Sequence, residues 1–146
     1  LVMQQARQMG FQGGFIVMDQ AKLDEIAAVT GGLELLEGAI GVVPLSEYDG
    51  EEAKAFVERY KKAHGKVPGS EAAYNYLAFH ELAKAMELAG STEPQQVRAN
   101  MGEALKSMDP KFNLYSVQGM TENGGFITPT TMAVVEGGKI VRKEIE

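Results

Sequence analysis

Two hydrophobic textures alternate along the first third of the chain. Phe15, Ile16, Val17 and Met18 form an unbroken apolar run between Gly13-Gly14 and Asp19, the pattern of a strand buried on both faces, as in a parallel sheet. A second run, "GAIGVVPL" over residues 38–45, ends around Pro44. Between the two, Leu23, Ile26, Ala27 and Thr30 recur at helical spacing and stop at Gly31-Gly32. Ahead of both, Val2, Ala6 and Met9 share one face of a helix that Gly10 ends and no capping residue opens. The order helix, strand, helix, strand predicts an α/β layer.

From Asp49 the periodicity becomes purely helical. Asp49 and Glu52 stand at capping-box spacing ahead of a stripe of Ala53, Phe56, Val57 and Tyr60 that closes at Gly65. A second helix is predicted from about Ser70 to Gly90, with Glu81, Lys84 and Glu87 as a narrow polar strip beside a wide apolar arc, so it is expected to be largely buried. A third runs from near Thr92, with Pro94 in its first turn and Gln95 in the box position, to about Met108 before Asp109-Pro110. Beyond it β-branched residues return, and "ENGG" and "EGGK" supply turn chemistry between two or three short strands.

Composition narrows the function classes. The 146 residues suffice for an ordinary core. A formal charge of −6 opposes nucleic acid and anionic lipid surfaces. With no cysteine there is no disulfide, thiolate nucleophile or thiolate metal site. No apolar run approaches the ~20 residues that span a bilayer, and residues 1–10 lack the form of a signal peptide; either the chain is cytosolic or its front end is missing.

Few residues offer chemistry. His64 and His80 lie on different predicted helices with no carboxylates around them in metal-ligand spacing. The glycine-rich stretches lack dinucleotide or P-loop spacing, and no serine sits in a nucleophile elbow. No cofactor, metal or catalytic residue is therefore expected. Asp19 directly follows a predicted buried strand, and ligands of parallel α/β sheets bind outside the carboxyl ends of the strands; a helix cap or a solvated loop acid is the other reading. Tyr74, Tyr76 and Phe79 in "YNYLAF" read as core or as the apolar wall of a pocket. Core suits Phe79 better, whereas Tyr74, nearer the helix start, fits either role.

The stretches "QQARQMGFQGGFIVMDQAKLDEIAAVTGGLELLEGAIGVVP", "FVERYKKAHGKVP" and "AYNYLAFHELAKAMELAGSTEP", with the late "TENGG" and "VVEGGKIV", occur in an order that resembles the C-terminal half of type I periplasmic binding proteins. More narrowly, the chain resembles the branched-chain amino acid (leucine/isoleucine/valine) receptors of ABC importers. The resemblance spans nearly the whole chain. It implies part of a two-lobe α/β architecture with a Rossmann-like parallel sheet and flanking helices, closing by a hinge on a ligand between the lobes.

By that resemblance residues 1–45 belong to the second lobe, residues 46–110 supply helices of the first, and residues 111–146 form a β-rich segment that returns largely to the second. Asp19 then pairs with the α-ammonium of a bound amino acid or analogue, though Met18 and Gln20 flank it where relatives carry glycine. Tyr74 becomes a wall of the site, with Glu71 the second candidate nearby. The implied protein is a non-enzymatic solute receptor, periplasmic or extracellular and membrane-associated, that partners an importer permease; a ligand-sensing regulatory domain of the same fold, coupled to a signalling partner, is the alternative. The missing first-lobe sheet, or self-association through residues 53–90, would cover the apolar helices.

Overall fold

A computed structural model describes residues 1–18 and 22–144 and groups the chain into two units, Leu1–Glu47 with Thr130–Glu146, and Tyr48–Pro129. In the first, the two apolar runs become a parallel pair: β1 (Ile16–Val17) lies beside β2 (Ile40–Gly41), with Ile16 opposite Ile40. β2 then pairs antiparallel with β5 (Thr131–Glu136), and β5 turns through Gly137-Gly138 into β6 (Lys139–Glu144), giving the order β1-β2-β5-β6. Both turn glycines have positive φ, 59° and 70°. That is the geometry of a tight hairpin whose twist matches its strands.

Val17, Ala39, Ala133 and Val135 are buried, and Leu23, at the start of helix α2 (Leu23–Thr30), is fully buried. Ile16 and Met18 are exposed. The run 15–18 thus alternates instead of being buried on both faces, because only the face carrying Val17 is covered among the described residues. The helix at the front, α1 (Val2–Gln8), also departs from expectation: none of its residues is buried, and Val2 and Met9 face solvent. It is held by Arg7. The guanidinium donates to the carbonyls of Phe11 (2.8 Å), Gly13 (2.7 Å), Leu35 (3.2 Å) and Glu37 (3.3 Å), and lies 4.7 Å from the centre of the Phe15 ring. Its fixed fork of donors suits several carbonyls at once.

The second unit is built on three helices, α3 (Glu51–His64), α4 (Ser70–Ala89) and α5 (Pro94–Ser107), followed by a short hairpin of β3 (Gly119–Met120) and β4 (Phe126–Ile127). Gly65 and Gly90 end α3 and α4 in the left-handed conformation, as their positions predict. The caps fall one residue later than expected. Gly50, not Asp49, is the N-cap of α3, and Glu93, not Thr92, that of α5, where the Glu93 amide donates to the Ser91 hydroxyl at 3.1 Å. Pro94 occupies the first turn, where its missing N–H costs nothing.

The buried side of α4 is Ser70, Ala73, Leu77, Glu81 and Ala85. Ala85 packs with Val97 and Ala104 of α5, and such small side chains let two helix backbones approach closely. That choice of face reverses two expectations: Phe79 is 68% exposed instead of lying in the core, and Glu81, read as part of the polar strip, is buried. Burial pushes the Glu81 carboxyl above its ordinary range, and its Oε1 accepts no hydrogen bond among the described residues.

Two predictions follow from the sheet. A Cβ at Gly41 would lie 2.9 Å from the Val17 carbonyl oxygen and 3.0 Å from Leu23 Cγ, so Gly41→Val is expected to lower stability by about 1–3 kcal/mol, the usual cost of overpacking; urea unfolding at wild-type midpoint would contradict this register. The Glu37 carboxylate accepts from the amides of Gly137 (2.8 Å) and Gly138 (3.1 Å), which hold it below the ordinary carboxyl range. A depressed folded value means that its stabilisation is present above the unfolded carboxyl range and is lost as the pH falls through the folded value. Thermal midpoints of wild type and Glu37→Gln should therefore differ near neutrality and converge in acid; an equal gap at both ends would show that the charge is not what holds the turn.

Candidate functional site

Of the residues that the sequence singles out, Asp19 lies outside the described residues. β1 ends at Val17, two positions before it in sequence. Tyr74 and Glu71 both sit near the start of α4, Glu71 in its first turn and exposed. Tyr74 is partly covered. One face of its ring stacks on Tyr115, with centroids 4.2 Å apart and planes 19° from parallel, while 42% of the residue remains exposed.

Tyr115 reaches that position from a loop whose shape is set by one amide side chain. Asn113 Nδ2 donates to the Val117 carbonyl (2.9 Å), and Asn113 Oδ1 accepts from the Val117 amide (2.8 Å). Within this closed turn Ser116 takes a positive φ of 53°, uncommon for a residue with a side chain. The result drives Leu114, Tyr115 and Val117 inward, and all three are buried. The Tyr115 hydroxyl then donates to the Ser70 carbonyl at 3.1 Å, and the ring meets Tyr48 edge-on at 5.2 Å. Burial, reinforced by the neighbouring Tyr74 and to a lesser degree by Tyr48 and Glu71, raises the phenol far above its ordinary value, and the hydrogen bond to Ser70 only partly offsets this. The group stays protonated and donates.

The histidines lie in a separate aromatic row. His64 packs on Tyr60 (4.3 Å), while His80 stacks flat on Phe112 (3.6 Å, 9°) and meets Tyr76 edge-on. Burial, with Lys111 nearby, lowers the affinity of His80 for a proton. An open groove of about 470 Å³ between α3 and α4 is lined by Phe56, Arg59, Tyr60, His64, Tyr76 and Phe79. Among the described residues no cluster of His, Asp or Glu could hold a metal ion, and no helix is long and apolar enough to cross a membrane.

Sequence reasoning singles out Tyr74 as a candidate and misses the residues that pack on it. Tyr115 and Ser70 are 45 positions apart, and Tyr48 precedes α3 by a few residues; nothing in the spacing connects them. The double glycine and "YSV" segments announce turn and strand, not a buried phenol.

An α/β unit with a parallel strand pair, together in one chain with a helical unit whose longest helix carries a tyrosine near its start, defines a class of architecture that known proteins specify further. The profile of the periplasmic binding protein family matches residues 1–139, and the chain belongs to that family. In structure it is similar to the leucine-binding protein LivK of Thermotoga maritima, with 29% identity and a TM-score of 0.69 over 98% of this chain and 40% of that one. In sequence it is 28% identical over 103 residues to the Leu/Ile/Val-binding protein homolog 1 of Brucella suis, and to its counterpart in Brucella melitensis. That match covers 70% of this chain and 27% of each relative's length. The type I, branched-chain amino acid branch to which the sequence motifs point is thereby supported.

Proposed function

We propose that this chain is the C-terminal part of a solute receptor that binds a small amino acid, or a compact polar analogue, between two lobes and delivers it to the permease of an ABC importer at the outer face of the cytoplasmic membrane. The observation that carries this reading is the likeness to a leucine-binding protein over 98% of the chain. Residues 1–45 and the terminal strands serve the second lobe, and the helices of residues 46–110 the first. Asp19 is the partner of the ligand's α-ammonium. Water is expelled when such a cleft closes, and a charge-assisted hydrogen bond is then worth more than it is in bulk solvent. Tyr74 offers its exposed ring to the ligand's apolar part, and Glu71 stands beside it at the rim. The groups that hold the ligand's carboxylate belong to the rest of the protein.

Calorimetry with L-leucine on the two-lobe protein is the test. Asp19→Asn is expected to weaken binding by about 1.5–3 kcal/mol, the range for hydrogen bonds to charged groups, with the thermal midpoint nearly unchanged. Wild-type affinity in a folded Asp19→Asn protein would return Asp19 to the role of a loop acid.

The helices generate a second prediction. Phe79, Leu82 and Leu88 of α4 are 68%, 41% and 41% exposed, a larger apolar surface than a helix of a soluble monomer usually presents. The net charge of −6 is screened within about 8–10 Å at physiological salt, so it does not keep two such surfaces apart. The 146-residue chain by itself is expected to self-associate through residues 53–90, with Phe79→Glu weakening the association. Sedimentation as a compact monomer that binds no hydrophobic dye at micromolar concentration would overturn this.

A further inference from the structure

We propose that Tyr115 is the positioning residue of Tyr74: a buried phenol, stacked on the Tyr74 ring, that fixes the ring in the orientation it presents to a ligand. As far as the ligand is concerned, this rests on the reading of Tyr74 as a wall of the amino-acid site. Three features support it. The Tyr74 ring has Tyr115 stacked on one face at 4.2 Å and nearly parallel, so rotation about its own χ angles would first have to break that stack. Tyr115 is in turn immobilised from three sides, by Tyr48 edge-on at 5.2 Å, by the hydroxyl bond to the Ser70 carbonyl at 3.1 Å, and by the Asn113 clamp on its loop. At 2% exposure Tyr115 touches no solvent-borne ligand itself, whereas Tyr74 at 42% can. The side chain that is accessible is therefore held by one that is not.

Pre-ordering of this kind raises affinity because less side-chain freedom is lost on binding. The two members of the stack divide the work. Tyr74 supplies the contact, and Tyr115 supplies the orientation. The hydroxyl of Tyr115 registers the stack against the first turn of α4, the element that carries Tyr74, so ring and backbone are fixed by the same residue.

Two measurements test this on the full-length protein that carries these residues. The first needs no ligand: with the Tyr74 ring isotopically labelled, NMR is expected to show signals displaced by the Tyr115 ring current. Tyr115→Phe should keep the displacement because it keeps the stack, and Tyr115→Leu should abolish it. An unchanged Tyr74 signal in a folded Tyr115→Leu protein overturns the proposal. The second uses L-leucine as the probe. Tyr115→Leu is expected to lower affinity about 3–10-fold, in proportion to the worth of an aromatic pair, and to have no effect when Tyr74 has already been replaced by Ala. An equal loss in both backgrounds would mark Tyr115 as merely structural and overturn the proposal. If the unmodified protein fails to bind leucine while the ring-current result holds, the leucine reading falls and the positioning of Tyr74 by Tyr115 stands.

Discussion

The bond from the Tyr115 hydroxyl to the Ser70 carbonyl is the constraint on which the helical unit turns. A phenol removed from water must donate its hydrogen bond to something, and the acceptor it finds is at the first position of α4. In α-helical geometry that carbonyl is also the one facing the Tyr74 amide, four residues on. A carbonyl oxygen has two lone pairs, so a single atom receives the backbone of Tyr74 and the phenol that stacks on the Tyr74 ring. The entry of the longest helix, the loop after α5 and the exposed aromatic are fixed at one point.

The sheet unit meets the same need with charge in place of an aromatic hydroxyl. α1 buries nothing, and Arg7 compensates by collecting four carbonyls from segments before and after β1 and α2. Glu37 does the complementary task, accepting two amides at the β5–β6 turn. The carbonyl of Glu37 belongs to the Arg7 set and its carboxylate to the hairpin. One residue thus joins α1 to the β5–β6 hairpin.

What was legible in the sequence was what local chemistry decides. Gly65, Gly90 and the Gly137-Gly138 pair announce their ends and turns because only a residue without Cβ takes those conformations cheaply. The helices at 51–64, 70–89 and 94–107 follow their periodicity. Which face of α4 is buried was not legible: the arc is apolar nearly all round, and the decision fell to the small side chains that meet α5, which left Phe79 outside and took Glu81 in. The same holds for the candidate site. Tyr74 stands out as a candidate by its place near a helix start, but Tyr115 comes to it through tertiary folding, and a contact across 41 positions leaves no trace in spacing.

The tyrosine stack has an optical consequence. The chain contains no tryptophan and five tyrosines, and Tyr48 and Tyr74 each pack on Tyr115, at 5.2 and 4.2 Å between ring centres. The other two, Tyr60 and Tyr76, lie in the aromatic row with Phe56 and the histidines, so all five belong to the unit Tyr48–Pro129. Tyrosine emission and circular dichroism near 280 nm therefore report on that unit, and they do so without an attached dye.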